Sequence, residues 1–157
     1  SDASRHTGVE WANYYAVTDW LNLNLDVALT RSRFTGDDLP DGDRIENSVG
    51  RVVTGGLYAG RASGLIGALQ LRSFGPRPLT GDGSVTSDAT ALVNAQIGYR
   101  FQRIAVALDI LNAFDSDAAD VSYFYGSRLR GEATEVEDVH AHPVIPRTAR
   151  LSVVARF

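Results

Sequence analysis

His140 and His142 stand two residues apart in the richest polar stretch of the chain, Ser127-Arg128-Leu129-Arg130-Gly131-Glu132 … Glu137-Asp138-Val139-His140-Ala141-His142-Pro143. In an extended segment that spacing puts both imidazoles on one side, with Glu137 and Asp138 close by. Imidazole is a common transition-metal ligand, so the stretch suits a metal or a metal chelate. Arg128 and Arg130 belong to the same loop, and with His140 and His142 they are the candidate ligand contacts. The competing reading is a loop whose His and Arg side chains bond its own carboxylates.

Asp37, Asp38, Asp41 and Asp43 surround Pro40 and Gly42. So many carboxylate oxygens would suit calcium, but their spacing departs from the calcium-loop pattern, which favours a solvated turn. Gly81-Asp82-Gly83 and Gly55-Gly56 read as turn and strand glycines rather than a phosphate cradle. No nucleophile elbow is present. The expectation is therefore no enzyme, no catalytic residue, no resident metal site and no cofactor.

What must position these residues is a set of strands. Leu21, Leu23, Leu25, Val27 and Leu29 alternate with Asn22, Asn24, Asp26, Ala28 and Thr30; helical spacing would scatter those leucines around an axis. Ala91, Val93, Ala95, Ile97, Tyr99 and Phe101 alternate in the same way, as do Ile104, Val106, Leu108 and Ile110. The last run sets Phe157, Ala155, Val153, Leu151 and Ala149 against Arg156, Val154, Ser152, Arg150 and Thr148. Weaker strands fall at 6–17, 47–60 and 64–75, where repeated glycines argue against helix. Gln70, Arg72, Gln96, Arg100, Asp109 and Arg150 all fall opposite the apolar stripe.

Composition sets the outer limits. With 157 residues, 44% hydrophobic and 22% charged, the chain has length and apolar content enough to fold. A net charge of −4 and the lack of a basic stripe argue against nucleic acid. The absence of cysteine excludes disulfides and thiol chemistry. No apolar run reaches the length of a membrane helix, which leaves membrane strands of about ten alternating residues open. No signal peptide is visible; an exported protein would have lost it, or the chain begins part-way through a longer one.

Connections alternate in length. Thr18-Asp19, Arg61-Ala62-Ser63 and Gln102-Arg103 are tight turns, whereas about 35–46, 76–88 and 127–146 are long polar loops. That is the up-and-down barrel pattern, with tight turns on one rim and long loops on the other. Trp20, Tyr58, Tyr99, Phe101 and Phe157 sit by the short turns or the C-terminus, and Phe34, Phe74, Tyr123, Phe124 and Tyr125 by the long loops. Two such belts suit two membrane interfaces. The fold expected is all-β, an antiparallel up-and-down transmembrane β-barrel segment of about seven strands: 6–17, 20–34, 47–60, 64–75, 89–101, 103–125 and 147–157. If the short turns face the periplasm, the first and last strands both run inward. A complete single-chain bacterial barrel has an even strand number, so the expectation is the C-terminal part of a larger barrel; a missed eighth strand would be the other explanation.

Leu92-Val93-Asn94-Ala95-Gln96-Ile97-Gly98-Tyr99-Arg100-Phe101, a two-residue turn, and the strand from Ile104 to Asn112-Ala113-Phe114-Asp115 resemble the C-terminal end of TonB-dependent outer-membrane receptors. In that family a strand ending Tyr-Arg-Phe precedes one carrying an Asn-Leu-Phe-Asp-like segment; here Ala113 takes the place of the leucine. Ser73-Phe74-Gly75-Pro76-Arg77-Pro78-Leu79 and the run from Pro146-Arg147 to Phe157 also resemble late strands of the family. The resemblance implies that 1–157 is a C-terminal segment of a barrel of roughly 22 strands, with the N-terminal plug domain not among its residues. It further implies an outer-membrane receptor that imports a scarce ligand, a ferric siderophore or similar metal chelate, using energy delivered by TonB through the plug. The partners implied are outer-membrane lipid, the remaining strands and plug of the same receptor, and a metal chelate, with no nucleic acid. Two other classes remain open: a small self-contained outer-membrane barrel with a structural or passive-pore role, and a soluble β-barrel or sandwich that binds a ligand. The soluble binder requires Leu21, Leu23 and Leu25 to point inward.

Overall fold

The computed structural model describes residues 3–36 and 39–156. Phe157, expected on the closing strand and at the rim, and the loop carboxylates Asp37 and Asp38 lie outside them. Every regular element among the described residues is a strand: β1 (Ala3–Ala16), β2 (Leu21–Thr35), β3 (Arg51–Gly60), β4 (Gly64–Phe74), β5 (Thr90–Arg100), β6 (Ile104–Leu111), β7 (Ala119–Ser127), β8 (Val136–Pro143) and β9 (Thr148–Ala155). Seven of them form one sheet in the order β1-β2-β3-β4-β5-β6-β9, every neighbouring pair antiparallel. β7 and β8 form a separate hairpin in the β6–β9 connection. The three tight turns, 17–20, 61–63 and 101–103, share one end of the sheet, and the three long connections, 36–50, 75–89 and 112–147, share the other.

Register turns the sequence alternation into two chemically distinct faces. Leu23 pairs with Leu57, Leu57 with Leu69, Leu69 with Ala95, Ala95 with Ile110, and Ile110 with Ala149. The row beside it reads Asn24, Gly56, Gln70, Asn94. Among the described residues no second layer covers the apolar face: Leu65 and Leu151 are each 70% exposed and Leu69 50%. The accessible surface is 11111 Å², against about 7,700 Å² for a compact folded monomer of this mass. Leu79, in a long loop, is the one buried hydrophobic residue among those described. A soluble sandwich would bury this face against a second sheet; here Leu23 and Leu25 remain exposed.

Three expectations need correction. The strand expected over 103–125 ends at Leu111, because Asn112 (φ 47°) and Asp115 (φ 53°) adopt left-handed backbone and turn the chain. The loop expected over 127–146 contains β8, so Tyr123, Phe124 and Tyr125 lie on the hairpin rather than in a rim belt. Tyr58, grouped with the rim aromatics, pairs with Asn22 and Ala68 on the polar face, where Gln70 Nε2 donates to its hydroxyl at 3.2 Å. Phe34 and Phe74 share that face by register. The apolar face carries Trp11, Tyr15 and Tyr99 instead, and the Tyr99 and Phe101 rings lie 4.7 Å apart.

Candidate functional site

The polar face is organised around carboxylates that strand neighbours satisfy. Asp109 on β6 is only 8% exposed. It accepts from Gln96 Nε2 at 2.6 Å, from Arg150 Nε at 3.3 Å and from Ser152 Oγ at 3.3 Å, which ties β5, β6 and β9 together. Asp26 accepts from Thr54 Oγ1 at 3.1 Å. Gln70, Arg72, Gln96, Arg100, Asp109 and Arg150 all lie on this face, as their spacing predicts. A hollow of about 300 Å³ opens there between Tyr58, Gln70, Asn94, Gln96, Asp109 and Arg150. It offers hydrogen-bond donors, acceptors and a guanidinium without a nucleophile activated by a base.

At the long-loop end the connections bind one another. Arg44 N donates to Gly81 O, Asn47 N to Pro78 O, and Arg77 and Ser87 bond reciprocally across the β4–β5 loop. Within that loop Asp82 is held at about 2, against an ordinary 3.8, first by the Ser84 backbone N–H and then by the Thr80 and Ser84 hydroxyls. This is the turn that the glycine pattern of 81–83 predicts. In the acidic loop, Asp43 forms an ion pair with Arg33 at 3.3 Å. Among the described residues no three His, Asp or Glu side chains converge on a metal position.

The β7–β8 hairpin rises from this platform and is moored at its base. Thr90 Oγ1 donates to Ala119 O at 2.7 Å, the buried Arg77 donates through Nη2 to Asp120 O at 3.1 Å, and Arg72 lies 3.4 Å from Asp120 Oδ1. Val121, Tyr123, Tyr125, Asp138, His140 and His142 share one face of the hairpin. His140 stacks on Tyr125 with ring centroids 3.9 Å apart, and its Nε2 is shielded without a hydrogen-bond partner. His142 is exposed, so the two imidazoles share a side but not an environment; Glu137 falls on the opposite face. Arg128 and Arg130 lie past the end of β7, in a turn closed by Arg128 Nε donating to Glu132 O and Leu129 N donating to Glu132 Oε2. The hairpin thus carries Tyr123, Tyr125, His140 and His142 on one face, while Arg128 and Arg130 sit apart from them in the turn past β7.

The segment Asn112-Ala113-Phe114-Asp115, which carries the family resemblance in the sequence, has a structural role of its own. Asn112, 4% exposed, donates through Nδ2 to Ser116 O and Ile145 O and accepts from Ser116 N, while its own N–H bonds Asn94 Oδ1. Asp115 accepts from Arg147 N at 2.8 Å. Asn112-Ala113-Phe114-Asp115 is therefore a clamp holding the end of β6, strand β5 and the approach to β9. The clue available in the sequence was residue type: Asn and Asp tolerate the left-handed region better than other side chains.

No protein-family model matches the chain, and no curated protein does. A solved structure does match: the ferric yersiniabactin uptake receptor FyuA from Yersinia pestis, with a TM-score of 0.75 and 20% sequence identity. The match covers 98% of this chain and 24% of the receptor, so the chain spans about a quarter of the protein it resembles. At that identity the likeness is one of fold: the chain's antiparallel all-β architecture is that of part of this receptor.

Proposed function

We propose that this chain is the C-terminal part of the barrel of a TonB-dependent outer-membrane receptor, which imports a ferric siderophore or similar metal chelate. The observation that carries the reading is the seven-stranded antiparallel meander with an uncovered apolar face, a polar opposite face and all long connections at one end. Lipid would cover the apolar face, and the polar face would line the lumen and meet a plug. Strand direction supports a larger wall. With seven strands in the sheet, the edge strands β1 and β9 run the same way, so joining them would make a parallel pair, foreign to these barrels. A membrane leaves no strand edge unpaired, so on this reading further strands, odd in number, complete the wall. The same argument weighs against a self-contained small pore, and the exposed leucines weigh against a soluble binder.

The hairpin is the proposed ligand contact, through Arg128, Arg130, His140 and His142, with Trp20, Tyr99 and Phe101 at the periplasmic interface. The role is transport rather than catalysis. The test is uptake of radiolabelled iron from a panel of ferric siderophores by cells carrying or lacking the full-length protein, each with and without TonB. Outer-membrane recovery and TonB-dependent uptake of one chelate are expected; a soluble product, or uptake indifferent to TonB, refutes the proposal. His140→Ala with His142→Ala should weaken chelate binding while leaving membrane recovery unchanged.

A further inference from the structure

The apolar face is not uniform. Beside the tight turns, Leu57, Leu65, Leu69 and Ile97 enclose a depression of about 830 Å³ floored by Ala59, Gly67 and Ala95. It continues toward mid-sheet in a second hollow of about 270 Å³ that shares Leu57 and Leu69 and includes Gly55. The stretch from Ala59 to Gly55 is about 14 Å of strand.

The backbone does not require these glycines. Neither Gly55 nor Gly67 has a positive φ, and an added Cβ would meet only ordinary contacts, at 3.7 Å and 3.5 Å. Gly98 is the contrast, since a Cβ there would lie 2.9 Å from Ala107 Cα. Larger side chains would fit at 55 and 67, and their absence leaves the hollow open.

The rim end of the groove is basic. A pocket of about 470 Å³ shares Ser63 with the depression and is lined by Arg100 and Arg103 beside Tyr99 and Phe101. Arg61 lines the mouth of the depression, and Arg100 Nη1 donates to its carbonyl oxygen at 2.8 Å, drawing the end of β5 to the β3–β4 turn. The facing carboxylate is Asp19, 3.7 Å from Arg61 Nε, with both side chains largely exposed. Among the described residues, the guanidinium groups of Arg61 and Arg103 in the two turns therefore face one carboxylate, while Arg100, on the polar face, braces the β3–β4 turn.

We propose that this groove and pocket form a binding site for one glycerophospholipid, an acyl chain along the glycine-floored groove and the phosphate between Arg61 and Arg103 of the two tight turns. Apolar groove then basic pocket, running from mid-sheet to rim, repeats the order of tail and headgroup in the lipid. The inference rests on the membrane-spanning reading above, and the tight-turn rim makes the site one of the periplasmic leaflet.

The test uses the full-length protein in phosphatidylethanolamine–phosphatidylglycerol vesicles doped with a phospholipid carrying a photoreactive acyl chain, with labelled peptides mapped by mass spectrometry. Labelling should concentrate on residues 55–69 rather than on the equally apolar Leu151 and Val153. Gly67→Leu should reduce it about tenfold, the contact of roughly two methylenes. Arg61→Gln and Arg103→Gln should each reduce it about fivefold. Gly67→Ala should change it little, and a fatty alcohol bearing the same photoreactive group should label weakly and ignore the arginine changes. Even labelling along the apolar face, indifference to both Gly67→Leu and the arginine pair, or equal labelling by the alcohol overturns the site. If Gly67→Leu fails to insert, the arginine pair in the exposed turns carries the test alone. Failure of the unaltered protein to insert would instead refute the membrane reading.

Discussion

Leu69 and Gln70 are adjacent, and the register sends them to opposite faces of β4. Leu69 is 50% exposed, between Leu57 and Ala95 on the apolar face, while Gln70 bonds Tyr58 on the polar face. For a soluble protein, Leu69→Arg would be a surface change worth within about 0.5 kcal/mol. If lipid covers that face, a guanidinium near the bilayer midplane costs about 2–4 kcal/mol. That is a shift of about 30-fold to several hundredfold in the folding equilibrium. Gln70→Arg puts the same group into a polar, water-accessible wall and loses one exposed hydrogen bond, so its cost should stay below about 1.5 kcal/mol. Urea unfolding of the full-length protein in phospholipid vesicles, followed by tryptophan fluorescence, measures both. Equal costs for the two variants, or a larger cost for Gln70→Arg, would refute the assignment of faces and the lipid contact with it.

Three further outcomes follow from the loop and clamp geometry. Asn112→Ala removes three side-chain hydrogen bonds at a buried position and leaves alanine at φ 47°, so about 2–4 kcal/mol of stability should be lost. Asn112→Gly loses the same bonds but relieves the backbone, and should be milder by about 1 kcal/mol in the same unfolding assay. Gly42→Ala should loosen the long-loop platform, because φ is +96° there and a Cβ would collide with the Gly81–Asp82 backbone; faster proteolytic cleavage within 36–50 is the readout. Asp82, with its folded value depressed to about 2, contributes order to its loop that is complete above about 3.8 and is lost as pH falls through 2. Amide exchange in 75–89 should therefore accelerate only at the acid end, and Asp82→Asn should remove that dependence.

Alternation made the wall legible. Leu21 to Leu29, Ala91 to Phe101 and Ile104 to Ile110 each place every second side chain on one face, and the observed strands follow them to within a few residues at their ends. The break at Asn112 was harder to see, because Ile110, Leu111, Ala113 and Phe114 continue the apolar run while the backbone turns left-handed. β8 is hard to read from sequence for the opposite reason. Its alternation of Val136, Asp138, His140 and His142 mixes apolar, charged and aromatic groups, and what holds it is pairing with β7 rather than burial.

By itself the sequence determined the seven strands of the main sheet apart from the end of β6, the two faces, and which end of the sheet carries the tight turns, because these depend on a period of two and on turn chemistry between neighbouring residues. Only the tertiary structure decided how the connections are used. Tyr58 went to the polar face because its partners are Asn22 and Ala68. His140 came to stack on Tyr125 through hairpin register. Ala59, Gly67 and Ala95 became a groove floor because register pairs Ala59 with Gly67 and sets Ala95, opposite Leu69, diagonally across from Gly67. Register joins residues far apart in the chain, and no local pattern encodes which distant residue will be the neighbour.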